Sequence, residues 1–76
     1  MIEIWGKPNC PYCVSAVNLA SEKQMKFRYT TLGVHFTREE VLEEFPGAKT
    51  FPQIKIDGVR IGGFTELKAY LQGEGQ

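Results

Sequence analysis

The chain has 76 residues, 42% of them hydrophobic and 24% charged, which suffices for one compact core and leaves no room for a second domain. Nine Lys and Arg balance nine Asp and Glu, so no sustained positive field exists to hold nucleic acid or an anionic membrane surface. No basic segment followed by an apolar stretch opens the chain, and no apolar run nears the roughly 20 residues that cross a bilayer, so a cytoplasmic protein is expected.

The segment Ile2-Glu3-Ile4-Trp5 reads as a short strand ended by Gly6 and Pro8. Beyond it, Cys13, Ala16, Val17 and Ala20 recur at helical spacing to about Lys23, with Pro11 where a helix starts and its missing N–H is harmless. Phe27 to Leu32 is aromatic and β-branched and stops at Gly33, which predicts a second strand and closes a βαβ unit with parallel strands. Thr37-Arg38-Glu39-Glu40 has the spacing of a capping box, followed by an apolar stripe of Val41, Leu42 and Phe45 that ends at Pro46-Gly47.

In Ile54 to Ile61, Asp57-Gly58 separates two alternating apolar segments and predicts a hairpin. A two-residue turn would place Ile56 opposite Val59 and Ile54 opposite Ile61, all four on one buried face. Gly62-Gly63 closes the hairpin, Leu67, Tyr70 and Leu71 predict a third helix, and Gly73-Glu74-Gly75-Gln76 should fray. The expected order is βαβ, α, ββα: an α/β domain with a mixed sheet flanked by helices.

Cys10 and Cys13 enclose only Pro11 and Tyr12, too short a loop to staple distant parts of a fold. A C-x-x-C also supplies half of a tetrahedral zinc site, but the chain offers no further cysteine and only His35, so no metal is expected. Beside a βαβ pattern the pair reads as a redox motif. Cys10 falls at the helix start, where unpaired N–H groups and the dipole favour its thiolate, and Lys7 adds a positive charge nearby. Cys13, one turn in, should be the more enclosed, resolving thiol. Trp5, Phe27, Tyr29, Phe36 and Phe45 are read as packing residues and His35 as an ordinary surface histidine.

Lys7-Pro8-Asn9-Cys10-Pro11-Tyr12-Cys13, Thr50-Phe51-Pro52 and Gly62-Gly63 together resemble a dithiol glutaredoxin, and the similarity covers nearly the whole chain. The resemblance implies a thioredoxin-like fold, a four-stranded mixed sheet flanked by three helices, with residues 1–76 forming a single glutaredoxin domain. It implies a glutathione-disulfide oxidoreductase with Cys10 as nucleophile, Cys13 as second thiol, and glutathione as a reducing co-substrate rather than a tightly bound cofactor. Pro52 would be a cis-proline, so that Thr50 and Phe51 present backbone to the cysteine of glutathione. Lys7 would approach its glycine carboxylate and Tyr12 would line the groove. Gly63, Thr65 and Glu66 would hold its γ-glutamyl end at a helix N-terminus. Phe64 is bulkier than the small residue common at its position.

The expected activity is reduction of protein disulfides and glutathione mixed disulfides, with ribonucleotide reductase a recipient implied by the resemblance. A monomer is expected, with no nucleic-acid or membrane partner. Two alternatives are a similar redoxin reduced by thioredoxin reductase, and an iron–sulfur carrier using Cys10 from two chains, which Pro11 disfavours.

Overall fold

β1 (Ile2–Gly6) organises the sheet, pairing in parallel with β2 (Phe27–Thr31) on one side and antiparallel with β3 (Gln53–Ile56) on the other. β4 (Val59–Gly62) adds antiparallel to β3, giving four strands in the order β2-β1-β3-β4. The helices are α1 (Pro11–Glu22), α2 (Arg38–Glu44) and α3 (Phe64–Gly73). The structure, a computed structural model, describes residues 1–73. The expected βαβ, α, ββα order and its four-stranded mixed sheet with three helices are present.

Strand alternation sends β1 side chains to two different layers. Ile2 and Ile4 join Ile54 and Ile56 beneath Ala16 and Ala20 of α1 and Leu67 of α3, forming an aliphatic core. The two alanines, four residues apart, line one side of α1 and let the helix approach the strands closely. Trp5 emerges on the opposite face and packs against Phe36, Val41 and Phe45, with Leu32, Ala48 and Phe51 around them.

α2 begins with the predicted capping box: Thr37 Oγ1 accepts from the Glu40 N–H at 3.1 Å, and Glu40 Oε1 accepts from the Thr37 N–H at 2.8 Å. Its apolar stripe is narrower than expected. Val41 and Phe45, four apart, are buried, whereas Leu42 is turned about 100° from Val41 and lies 43% exposed.

The hairpin turns at Asp57-Gly58, both at positive φ as a two-residue turn of this kind requires. Its register departs from the expectation. Ile56 does oppose Val59, but Ile54 opposes Gly62 because a bulge leaves Ile61 as an extra residue in β4. The four apolar residues therefore do not bury one common face: Val59, next to the turn on the edge strand, is 64% exposed, and Ile61 is partly buried against the core. In α3, Leu67 is fully buried, Leu71 partly so, and Tyr70 faces outward. Of the expected frayed tail, Gly73 ends α3 and residues 74–76 lie outside the described residues. Among the described residues, no helix is long and apolar enough to cross a membrane.

Candidate active site

β1 delivers the chain to the site. Gly6 ends the strand, Asn9 takes a left-handed conformation (φ 57°) that its short polar side chain tolerates, and the reversal places Cys10 as the N-cap of α1. Pro11 occupies the first helical turn, as its sequence position implied. The Cys13 N–H donates to Cys10 Sγ at 3.2 Å. In the reduced protein this bond and the helix N-terminus both favour a negative sulfur at position 10 over a neutral one.

Cys10 and Cys13 are joined as a disulfide with Cα atoms 5.2 Å apart. Their accessibility differs in the expected sense but by little: Cys10 is 8% and Cys13 1% exposed. Cys10 is thus a largely enclosed sulfur with one open side, less exposed than its position at a helix start suggested.

Across from Cys10 lies the segment before β3. The Phe51–Pro52 peptide bond is cis, as the resemblance implied, and the Phe51 carbonyl oxygen stands 3.8 Å from Cys10 Sγ. Phe51 is set there by its ring, which stacks 6.5 Å from Phe36. Phe36 in turn lies 4.7 Å from Trp5, whose other neighbour is Phe45 at 5.3 Å. The Thr50 carbonyl accepts from Gln53 Nε2 at 2.7 Å, which ties the loop to the start of β3. The aromatic residues read from sequence as packing therefore reach the site indirectly, by holding Phe51.

Tyr12, Thr50, Phe51, Pro52, Gly63, Thr65 and Glu66 line one groove of about 280 Å³, so seven of the eight binding residues expected from sequence converge. Gly63 permits this convergence, because a Cβ there would come within 3.2 Å of the Pro52 carbonyl. Glu66 Oε1 accepts from the Gly63 N–H at 2.8 Å and so caps α3, a structural duty that its sequence position had not shown. The groove also contains Phe64, whose ring is 6.0 Å from that of Tyr12. Phe64 follows Gly62-Gly63 directly, and that position is the sequence signal for its place in the groove.

Lys7 lies outside that groove. It borders a second, wider hollow on the other side of Cys10, together with Pro8, Asn9, Pro11, Val14, Tyr29 and Thr31. Cys10 lines this hollow and its Sγ faces Phe51 of the groove, so the residue stands between the two concavities. His35 lines neither concavity and is not idle: its Nδ1 accepts from the Thr31 N–H at 3.0 Å and closes the turn after β2. Among the described residues, no group of three or more His, Cys, Asp or Glu is arranged to hold a metal ion.

A vicinal cysteine pair at a helix N-terminus, facing the carbonyl before a cis-proline at the edge of this sheet, defines a dithiol oxidoreductase with a thioredoxin-like fold. The glutaredoxin family model matches residues 2–61. The chain is 36% identical over 78 residues to a glutaredoxin of Haemophilus influenzae, spanning 93% of this chain and 90% of that protein. It is 39% identical over 77 residues to glutaredoxin 1 of Salmonella typhimurium, spanning 91% and 87%. The crystal structure of glutaredoxin 1 from Francisella tularensis matches with a TM-score of 0.80 and 34% identity, over 96% of this chain and 93% of that one. This chain belongs to the glutaredoxin family, and Cys10 and Cys13 are its redox-active pair.

Proposed function

We propose that the chain is a glutathione-dependent thiol–disulfide oxidoreductase, a single domain acting as a monomer in the cytoplasm, that reduces protein disulfides and glutathione mixed disulfides. The observation that carries the reading is the position of Cys10 Sγ, 3.8 Å from the Phe51 carbonyl and next to a groove of about 280 Å³, enough for part of a short peptide and too small for a folded partner. Phe51 precedes β3 and offers its backbone as a short extended partner to a cysteine bonded to Cys10. The N-terminus of α3 lies at one end of the groove, and although Glu66 holds the Gly63 N–H, the positive end of the helix dipole there suits a carboxylate. Lys7, in the adjoining hollow, supplies positive charge for a carboxylate at the opposite end.

In the reaction, the Cys10 thiolate attacks a substrate disulfide, forming a Cys10–substrate S–S bond and releasing the other substrate sulfur as a thiolate that takes a proton from water. For a protein disulfide, the Cys13 thiolate then attacks Cys10 Sγ. The Cys10–Cys13 disulfide forms, the second substrate thiol leaves, and two electrons have passed from the dithiol to the substrate. Two glutathione thiols then restore the dithiol, becoming glutathione disulfide. A glutathione mixed disulfide needs only Cys10 and a second glutathione. Ribonucleotide reductase, whose turnover oxidises a dithiol, is a recipient of the right chemical class.

The test is reduction of hydroxyethyl disulfide with glutathione, glutathione reductase and NADPH. Wild type should be active, Cys10→Ser inactive, and Cys13→Ser active here but impaired toward protein disulfides. Turnover with thioredoxin reductase and NADPH, and none with the glutathione system, would overturn the reading.

A further inference from the structure

The groove leaves unexplained the larger concavity of about 710 Å³ on the β2 side of Cys10, lined by Lys7, Pro8, Pro11, Val14, Tyr29 and Thr31. Apart from Lys7, the Asn9 amide and the Thr31 and Tyr29 hydroxyls, the surface bordering it comes from Cys10, two prolines, Val14 and the Tyr29 ring. Val14 is 58% exposed although it is β-branched and apolar, while the exposed position one turn further along the helix, Asn18, is polar. Its N–H bonds to the Cys10 carbonyl at 3.2 Å, so it stands one helical turn below Cys10. Tyr29 is fixed in the hollow by Gly6: a Cβ at position 6 would fall 2.5 Å from the tyrosine hydroxyl, so only glycine lets the ring lie over the end of β1. The hollow is therefore built from held parts, and it is continuous with the sulfur that must bond to any substrate.

We propose that the Val14–Tyr29 hollow is the docking surface for the polypeptide around the reactive cysteine of a protein substrate, and that it selects an apolar side chain about two residues from that cysteine. A polypeptide attached through its cysteine to Cys10 cannot end at the groove; its chain continues past Cys10. Two extended residues span about 6.6 Å, close to the 5.4 Å rise of the helical turn that separates Cys10 from Val14. The residue two positions from the substrate cysteine then meets Val14, with the Tyr29 ring beside it. Lys7 on the rim leaves the charge of this surface positive, so an acidic flank is tolerated and a basic one is not.

The inference rests on the thiol–disulfide reading of Cys10 and Cys13, but not on glutathione as reductant. Its test is therefore single-turnover oxidation of pre-reduced protein by two cyclic disulfide peptides, followed by the change in Trp5 fluorescence and by quenched product analysis. The peptides differ only in having Leu or Ser two residues from the more exposed cysteine. The Cys10 thiolate opens the peptide disulfide, Cys13 closes on Cys10, and the peptide leaves as a dithiol carrying both electrons, so no further reductant is needed. Wild type should be oxidised about three- to tenfold faster by the Leu peptide than by an equal amount of the Ser peptide. Val14→Gln, a neutral change at an exposed position, should remove that preference while the rate with hydroxyethyl disulfide is unchanged; Val14→Leu should keep it. Equal rates for the two peptides in wild type, or a preference that survives Val14→Gln, would overturn the proposal. So would a dimer in sedimentation that Val14→Gln dissolves, because a second copy would then be the occupant. If the reduced protein reduces neither peptide nor hydroxyethyl disulfide, the thiol–disulfide reading itself is at fault.

Discussion

On the face of the sheet covered by α1 and α3, Ile2, Ile4, Ile54, Ile56 and Leu67 interlock with two alanines as purely aliphatic groups, whereas on the α2 face Trp5, Phe36 and Phe45 meet ring to ring. The α2 face is completed by polar ties. Lys55 from β3 pairs with Glu44 and sits 5.4 Å from the Phe45 ring centroid, and Arg60 from β4 donates to the Glu44 carbonyl. The aromatic face continues into the active site through the stacking of Phe36 on Phe51, and the aliphatic face reaches it through Phe64 and Tyr29, which pack against its rim. The buried centre of the aliphatic face, Ile2, Ile4, Ile54 and Ile56, lines neither concavity, while the aromatic face holds the carbonyl that stands opposite Cys10.

The strongest way to break this contrast is Ile54→Ala, which empties a fully buried site in the aliphatic core. It should cost about 2–5 kcal/mol in urea unfolding, yet leave KM for a disulfide substrate unchanged when assayed well below the unfolding midpoint. A raised KM would mean that the buried aliphatic centre also positions the site. Phe36→Leu keeps an apolar group but deletes the ring pairs with Trp5 and Phe51. The expected loss is about 1–3 kcal/mol, with a clear rise in KM as Phe51 loses its stacking partner; stability loss with unchanged kinetics would detach the aromatic cluster from function.

A smaller effect follows from Thr37→Ala, which removes the N-cap of α2. It should lower stability by about 1 kcal/mol and speed hydrogen exchange in α2 before it affects the strands. Uniform acceleration through the whole chain would show that the two faces do not open separately. The smallest effect is expected at Glu44, whose half-exposed carboxyl is held below the usual carboxylate range by its hydrogen bond to Lys55, helped by the charges of Lys55 and Arg60. Because the folded-state value is depressed, the stabilisation is present above the unfolded carboxyl value and disappears as pH falls through the folded one. Thermal midpoints should therefore drop slightly more between neutral and acid pH in wild type than in Glu44→Gln. An equal drop in both would leave the Glu44 pair without a role in holding α2.

Much of the architecture was legible because it is written in short-range terms. Thr37 and Glu40 announced their helix through a reciprocal cap that depends on three residues of separation, and Asp57-Gly58 announced its turn through positive φ. The hairpin register was not, because the bulge at Ile61 lies where Gly62 packs on Glu66 of α3 and Gly63 on the Pro52 carbonyl, contacts that the alternation of β4 itself does not carry. Leu42 was misassigned to the buried stripe because position 42 is apolar, although α2 turns it to solvent.

At the site, the nature of Cys10 and Cys13 could be read directly, since a helix start and a vicinal thiol are local facts. The company they keep could not. Thr50 to Pro52, Gly63 and Thr65 are dozens of residues away, and motif likeness alone suggested that they converge; the groove they share comes from the packing of β3, β4 and α3. Lys7, three residues from Cys10, lies in the adjoining hollow because Asn9 reverses the chain between them. By itself the sequence determined the helices, the strands and the reactive sulfur, all of which depend on neighbours within a few residues. Only the tertiary structure decided that Cys10 lies between two concavities, because one is bordered by Tyr29 and Thr31 of β2 and the other by the cis-proline loop, segments remote from Cys10 in the chain.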